Sequence, residues 1–228
     1  MRGASACWLA VVAVLLVGCG GKQSPSSNGV ESMTPSQILA QVQKAVADAE
    51  SVHIVGAGTT GGSAITLDLM LAAGKGGAGH ISIGGLGFEI VRVDQKLYFK
   101  GDSSFLSHYA GPVAAQLLAG KWFYVPVSTS GFGSFSPLTN MVAITKQILA
   151  SHGELAKGGE TTIDGRPAIT LIDKSHGGRL YVATTGPAYP LALKPGKGKG
   201  EIRFTDWDQP VTLAAPSKPI DYSKLTGG

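Results

Sequence analysis

The side chains that could act as nucleophiles, general bases or metal ligands are scattered along the 228-residue chain. Ser103 follows an aspartate and has His108 nearby, but the segment lacks the G-x-S-x-G elbow that exposes a nucleophilic serine. Asp102 and Ser103 are instead typical caps for a following helix. The five histidines are dispersed, and none has a partner at the spacing that is typical of metal ligands. They are His53, His80, His108, His152 and His176. We therefore expect no enzyme, no cofactor and no metal, and a hydrolase whose residues meet only in space is the open alternative.

A glycine pattern at Gly56, Gly58 and Gly61 satisfies the G-x-G-x-x-G motif. In dinucleotide-binding folds these glycines open a helix whose N-terminus faces the pyrophosphate. Here they are followed by residues 63–73, whose apolar and polar side chains alternate as in a strand. The helix that phosphate binding needs is missing, so we interpret the glycines as hairpin and bulge positions.

Cys19 lies in a sequence context that predicts a defined modification. The apolar stretch 8–17 follows Arg2 and is shorter than the roughly 20 residues that span a bilayer, which is typical of a signal peptide. The run Leu16-Val17-Gly18-Cys19 resembles the lipobox of bacterial lipoproteins, whose cysteine receives diacylglycerol before cleavage. We expect residues 1–18 to be removed and the acylated Cys19 to hold the protein at the extracytoplasmic face of the cell membrane.

The rest of the chain divides into a linker and one domain. Residues 19–32 are rich in Gly, Ser and Asn and lack hydrophobic periodicity, which predicts a lipidated, flexible tether. Residues 33–228 are numerous enough for one domain with its own core. Because Cys7 lies in the signal peptide and Cys19 is acylated, we expect a domain without disulfides.

Composition and charge argue against two classes of protein. Hydrophobic residues make up 43% of the chain and charged residues only 15%, which argues against disorder. The net charge of +4 comes from scattered Lys and Arg residues without interleaved aromatic residues, which argues against nucleic-acid binding. The densest basic run, residues 194–200, predicts a solvated hairpin turn, and contact with anionic lipid headgroups is the second interpretation.

The periodicity of apolar residues predicts a sheet covered by few helices. A capping box at Thr34-Pro35-Ser36-Gln37 predicts a helix that runs to about Glu50. Further helices are predicted over 103–118, interrupted at Gly111-Pro112, and over 137–150, with a mobile, partly apolar loop over 127–136. Alternating strands with short turns imply antiparallel pairing. The predicted fold class is α+β, a single curved antiparallel sheet of about 10–11 strands, a half-barrel, wrapped around about three helices.

Apolar residues on the inner face of this sheet could form a filled core or line a cavity. A strongly curved sheet with few helices tends to enclose space, which favours a cavity for an apolar ligand. The residues predicted to line it are Ile65, Leu67, Leu69, Leu71, Phe88, Ile90, Leu138 and Val142. A cavity smaller than about 300 Å³ would instead favour a non-catalytic interaction or scaffolding lipoprotein with a filled core.

Several loose motifs keep a distinctive order along the chain. They are Leu97-Tyr98-Phe99-Lys100-Gly101, Lys121-Trp122-Phe123-Tyr124-Val125-Pro126, Leu180-Tyr181-Val182-Ala183, Tyr189-Pro190-Leu191 and residues 204–211. With Cys19 and the helix from Thr34, this order resembles the LppX/LprG-type lipoproteins of actinobacteria, part of the LolA/LolB-like superfamily. The Gly-rich runs 74–79 and 84–87 depart from that pattern.

The resemblance implies a half-barrel with an apolar cavity between its sheet and its helices. Members of this family are thought to bind acylated lipids or glycolipids and to help move them through the envelope. We therefore expect a monomer that binds a lipid or glycolipid and meets the membrane through its acyl anchor, with an envelope transporter as a possible partner. Residues 127–136 and the helix 137–150 are the expected gate.

Overall fold

The computed structural model describes residues 26–150, 152–196 and 200–225. The predicted signal peptide, Cys19 and tether residues 20–25 lie outside the described residues, and so does the middle of the basic run 194–200. No helix in the described part of the chain is long and apolar enough to cross a membrane. The sheet, the helices and the core described below all lie within residues 26–225. A protein that begins at residue 26 therefore keeps all of these contacts.

Twelve strands form one sheet in the described part of the chain. They are β1 (Ser51–Thr60), β2 (Ser63–Ala72), β3 (Gly76–Ile83), β4 (Leu86–Val93), β5 (Lys96–Gly101), β6 (Phe123–Pro126), β7 (Leu155–Ile163), β8 (Arg166–Asp173), β9 (Arg179–Ala183), β10 (Pro190–Lys194), β11 (Ile202–Thr205) and β12 (Ile220–Asp221). Their order is β12-β6-β5-β4-β3-β2-β1-β11-β10-β9-β8-β7. Every neighbouring pair is antiparallel except β12 and β6. The predicted single antiparallel sheet is confirmed, with slightly more strands than expected.

The helices are α1 (Pro35–Asp48), α2 (Ser103–Leu118) and α3 (Met141–Ala150), with short 3-10 helices at Val30–Ser32, Phe132–Thr139 and Tyr222–Lys224. The capping box of α1 is present, because the Gln37 amide donates to Thr34 Oγ1 and the Thr34 amide donates to Gln37 Oε1. Pro35 occupies the first helical position, where its missing N–H costs nothing. The prediction for this helix is confirmed.

Helix α2 is two short helices joined at a break. Gly111 has φ 83° and ψ 168°, which is not helical, and Pro112 follows it. Asp102 caps the start by accepting a hydrogen bond from the Phe105 amide at 2.9 Å, as predicted. The chain then returns to where the helix began, since the Gly120 amide donates to the Gly101 carbonyl at 2.9 Å.

The connections between strands lie at two opposite ends of the sheet. We call end A the end that holds the connections 61–62, 84–85 and 174–178, and where strand β10 ends and strand β11 begins. We call end B the end that holds the connections 73–75, 94–95, 164–165 and 184–189. Because strand β5 ends at Gly101, opposite Phe88 near the start of β4, helix α2 both begins and ends at end A.

One half of the sheet, β4 to β6, is covered by a cluster of phenylalanine rings. The rings belong to Phe88, Phe99, Phe105, Phe123, Phe132 and Phe135. Phe88 stacks on Phe105 at 4.5 Å between ring centroids, and Phe99 approaches Phe132 at 5.0 Å. The prediction of a loop over 127–136 is wrong at its second half, because a 3-10 helix begins at Phe132 and buries Phe132 and Phe135 in this cluster. Burying two aromatic rings stabilises an ordered conformation of this segment.

Helix α3 differs from the prediction in where it begins and which face it buries. It begins at Met141 instead of residue 137, and Asn140 accepts a hydrogen bond from the Ala143 amide at 2.9 Å. The buried face contains Met141, Ile144, Thr145 and Leu149. Val142, predicted on the inner face, is 44% exposed. Pro137 belongs to the preceding 3-10 helix instead of α3. The face predicted for a helix that begins at residue 137 therefore differs from the face that α3 buries.

The segment 27–32, predicted as part of the flexible tether, is folded against the domain. The Asn28 side chain donates to the carbonyls of Ala183 at 3.0 Å and Gly186 at 2.9 Å. Val30 is 1% exposed and joins the core. The prediction of a tether is therefore wrong from residue 27 onward. A single apolar residue in a polar stretch produces no periodicity, so the sequence pattern did not indicate this contact. The chain joins the domain at end B, in the connection 184–189.

Candidate ligand cavity

A cavity of about 750 Å³ lies at end A, between the sheet and helices α1 and α3. Strands β1 to β3 form one wall and strands β7 to β11 form the other. Leu39 of α1 and Ile144 and Ile148 of α3 close the inner side. The volume lies within the range of about 300–1,000 Å³ that is typical of small-molecule sites.

Near the cavity the inward positions of the sheet carry Gly58 and aliphatic side chains, whereas those of the β4–β6 half carry phenylalanines. Gly58 of β1 pairs with Ile65 of β2, so both face the same side of the sheet. A Cβ built on Gly58 would have only Ile65 Cγ2 nearby, at 4.0 Å. No side chain in the described part of this domain fills that space.

The glycine pattern that resembles a nucleotide motif serves three separate roles in the backbone. Gly61 lies in the β1–β2 hairpin turn with φ 53°. Gly56 lies against β11, where a Cβ would approach the Glu201 carbonyl oxygen to 2.0 Å. Gly58 borders the cavity. The motif is followed by strand β2 instead of a helix, which confirms that it is not a phosphate-binding turn.

The wall of the cavity is mainly apolar. Its aliphatic lining residues are Leu39, Ile65, Leu67, Ile83, Leu138, Ile144, Ile148, Leu149, Leu155, Leu171, Leu180, Leu193 and Ile202. Such a surface gains free energy when it contacts hydrocarbon instead of water, at about 25 cal/mol per Å².

The eight residues predicted to line the cavity fall into three groups. Ile65, Leu67 and Leu138 do line it. Leu69, Leu71, Phe88 and Ile90 are at most 1% exposed and belong to the filled core further along the same strands. Val142 faces solvent. Strand alternation identifies the inward face, but it does not show at which residue the filled core gives way to the cavity.

The wall formed by the C-terminal strands was not predicted from the sequence. Leu155, Leu171, Leu180, Leu193 and Ile202 reach the cavity from β7, β8, β9, β10 and β11. Leu171, Leu180 and Leu193 lie in short runs of apolar residues, whereas Ile202 alternates with the charged Glu201 and Arg203, and both patterns indicated strands. Their position at end A follows only from the pairing of the strands.

Polar residues lie where the cavity meets solvent. They include Gln147, His152, Asp173, His176, Arg179 and Lys194. Asp173 is 6% exposed and accepts hydrogen bonds from the amides of Ser175 and His176, at 2.9 and 3.1 Å. Its other oxygen lies 2.7 Å from His176 Nδ1. Burial by itself would raise the pKa of Asp173, but these hydrogen bonds outweigh it and lower the pKa to about 2.

The chemical groups considered in the sequence do not assemble into a reactive site. Ser103 and His108 are both exposed on α2, and no hydrogen bond joins them in the part of the chain that the structure describes. Within residues 26–150, 152–196 and 200–225, no three His, Cys, Asp or Glu side chains are placed to hold a metal ion. The cavity is therefore the candidate site.

The sheet, its helices and the cavity together define an α+β half-barrel with internal space, and the solved structure of LprF shares this fold. LprF from Mycobacterium bovis has a TM-score of 0.53 at 16% identity, over 85% of this chain and 99% of LprF. The lipoprotein LppX from Mycobacterium tuberculosis has a TM-score of 0.46 at 15% identity, over 79% of this chain and 98% of LppX. MucB from Pseudomonas aeruginosa, solved with MucA, has a TM-score of 0.36 at 19% identity, over 81% of this chain and 59% of that chain.

No family model and no curated protein matches the sequence. The likeness to LprF shows a shared fold and confirms the fold class that the LppX/LprG-type resemblance implied.

Proposed function

We propose that this protein is a membrane-anchored lipoprotein that binds a lipid or glycolipid in the end A cavity and helps to move it through the cell envelope. The observation that carries the proposal is the unfilled apolar cavity of about 750 Å³. The fold shared with LprF and the lipobox-like sequence at Cys19 support it.

The energetics of acyl-chain burial favour an apolar ligand over a polar one. Each methylene moved from water to this wall contributes about 0.8 kcal/mol, so a long chain gains many kcal/mol. A polar ligand would leave its hydrogen-bonding groups unpaired against aliphatic side chains, which costs about 1–3 kcal/mol for each group. The polar residues at the opening suit a headgroup that stays in contact with water.

The remaining parts of the proposal concern location and partners. An acylated Cys19 would anchor the domain on the extracytoplasmic face through residues 20–26, the segment between that cysteine and Ser27. We expect a non-enzymatic monomer that exchanges its ligand with an envelope transporter. The alternative of a scaffolding protein with a filled core is less favoured, because the cavity volume lies well above about 300 Å³.

Native mass spectrometry of a protein that begins at residue 26, purified from bacterial cells without detergent, tests the binding step. The expected spectrum contains adducts with lipid masses, which disappear after organic extraction. The extracted protein should then bind a fluorescent fatty acid. A protein that is free of ligand and also does not bind the fatty acid would contradict the proposal.

A further inference from the structure

Two histidines border the end A cavity, and each has one ring nitrogen in a hydrogen bond. His176 Nδ1 lies 2.7 Å from Asp173 Oδ2, and His152 Nδ1 lies 2.9 Å from the Gly153 carbonyl oxygen. A carbonyl oxygen and an ionised carboxylate can only accept hydrogen bonds, so Nδ1 carries a proton in both rings. In an uncharged imidazole the other nitrogen, Nε2, is then a hydrogen-bond acceptor.

The Nε2 atoms of both histidines are available to a ligand. Neither forms a hydrogen bond with another group among the residues that the structure describes. The His176 side chain is 67% exposed, and His152 is also exposed. A histidine that is held through Nδ1 by a carboxylate or a backbone carbonyl has a fixed ring orientation, which leaves Nε2 ready to bind.

Asp173 joins the two segments that carry these histidines. It contacts the ring of His176, and a Cβ built on Gly153, the neighbour of His152, would lie 3.3 Å from Asp173 Oδ1. The same Cβ would lie 2.5 Å from the Cβ of Ser175. The connection between α3 and β7 is therefore in contact with the connection between β8 and β9, and both imidazoles belong to one side of the cavity opening.

The basic residues at the ends of β9 and β10 project from the other face of the sheet. Arg179 pairs with Lys194, and the next pair, Leu180 and Leu193, lines the cavity. Because successive side chains of a strand alternate between faces, the charged groups of Arg179 and Lys194 point away from the cavity. Lys194 Nζ accordingly lies 5.7 Å from the ring centroid of Tyr181, which follows Leu180 along β9.

The charges next to the two histidines disfavour an anionic headgroup. Lys174 and Glu154, in the same two connections, form an ion pair with 2.6 Å between Nζ and Oε1. The remaining charge is the carboxylate of Asp173, which would repel a phosphate or a carboxylate. A hydroxyl group carries no charge and can donate to an uncharged Nε2. The opening therefore suits a neutral headgroup that donates hydrogen bonds.

We propose that His152 and His176 form the headgroup contact of the cavity and accept hydrogen bonds, through Nε2, from an uncharged lipid headgroup that carries hydroxyl groups. The acyl chain of this ligand lies against the aliphatic wall. The inference rests on the proposed function, because it requires a lipid in the cavity. It narrows that ligand to one headgroup chemistry and assigns the atoms that contact it.

Two lipids with the same acyl chain separate the headgroup contact from the cavity. Monooleoylglycerol carries free hydroxyl groups, and methyl oleate carries none. Each competes with a fluorescent fatty acid for the delipidated protein that begins at residue 26, at about pH 8, where histidine side chains are generally uncharged. We expect monooleoylglycerol to bind about tenfold more tightly than methyl oleate, as two ordinary hydrogen bonds would give.

Removing both acceptors should remove this preference. The double variant His152→Leu, His176→Leu should bind the two lipids equally, with its affinity for methyl oleate unchanged because the aliphatic wall is intact. Each single variant should keep a preference of roughly threefold, which tests the contact even when the double variant does not fold. His108→Leu is the matched control, because His108 is exposed on α2 and does not border the cavity.

Three results would overturn the headgroup contact and leave the cavity as the lipid site. They are equal affinity of the unaltered protein for both lipids, an undiminished preference in the folded histidine variants, and an equal loss of preference in His108→Leu. Far-ultraviolet circular dichroism checks the fold of each variant. Binding of neither lipid by the unaltered protein would instead contradict the proposed function, and the headgroup contact with it.

Discussion

Gly58 of β1 and Ile65 of β2 face each other across the antiparallel pair. A Cβ built on Gly58 would have its nearest neighbour, Ile65 Cγ2, at 4.0 Å. This pair marks the place where the filled core ends and the cavity begins. Toward end B the inward positions hold Ile54 and Leu69, both fully buried. The missing side chain at Gly58 therefore leaves part of the cavity wall in β1 open.

Filling this space should abolish ligand binding. In Gly58→Phe the new ring extends into the cavity, so we expect no lipid adducts in native mass spectra and at least a tenfold loss of fluorescent fatty-acid affinity. Gly159→Phe is the matched control, because Gly159 is exposed on β7 and a Cβ added there would have no neighbour within 4 Å. Lipid retained in full by Gly58→Phe would contradict the assignment of the site.

Alanine substitution at two glycines of β1 should change the free energy of unfolding by very different amounts. Gly56→Ala places a methyl group 2.0 Å from the Glu201 carbonyl oxygen and requires φ 149°, so we expect a loss of several kcal/mol in the free energy of unfolding or failure to fold. Gly58→Ala meets no such contact and should change stability by less than about 1 kcal/mol. Urea unfolding of both variants measures the difference, and equal losses would refute this account of the strand.

The two halves of the sheet should differ in their sensitivity to truncation. Phe99→Ala removes a fully buried ring from the phenylalanine cluster and should cost about 3–5 kcal/mol of unfolding free energy. Ile65→Ala removes a side chain that already borders empty space, so it should cost no more than about 1–2 kcal/mol. Chemical denaturation gives both values. A larger loss in Ile65→Ala would mean that the cavity wall is packed.

Asp173 should make folding stability depend on pH. The hydrogen bonds at its carboxylate lower its folded pKa to about 2, below the ordinary value of 3.8. Its contribution is therefore fully present above pH 3.8 and is lost as the pH falls toward about 2. Asp173→Asn should be less stable than the unaltered protein at neutral pH, and this gap should narrow on acidification. Denaturation midpoints across that range measure it, and a gap that widens in acid would exclude the mechanism.

The docked segment 27–32 should detach when its side-chain contacts are removed. Asn28→Ala leaves the carbonyls of Ala183 and Gly186 without their donor, and Val30→Ser withdraws a buried side chain. We expect each change to cost about 1–2 kcal/mol locally and to speed proteolytic cleavage near residue 30. Ser36→Ala, at an exposed position of α1 just beyond the segment, is the control. Unchanged cleavage rates in both variants would contradict the folded state of this segment.

Features that depend on neighbours in sequence were predictable. The capping box at Thr34 and Gln37, the cap at Asp102 and the break at Gly111-Pro112 all appear as expected. Each involves atoms within about four residues, so tertiary context has little to change. Features that depend on distant partners were not predictable. Phe132 and Phe135 were predicted in a loop, because the residues that bury them, Phe88 and Phe99, lie more than 30 positions away in the sequence.

The amino-acid sequence by itself determined the type of each main element, the antiparallel sheet and the inward face of its strands, because short turns and side-chain alternation are local properties. Only the tertiary structure decided where the inward face is packed and where it is hollow. That boundary depends on which side chains meet across the sheet, and strands as far apart as β2 and β9 supply them.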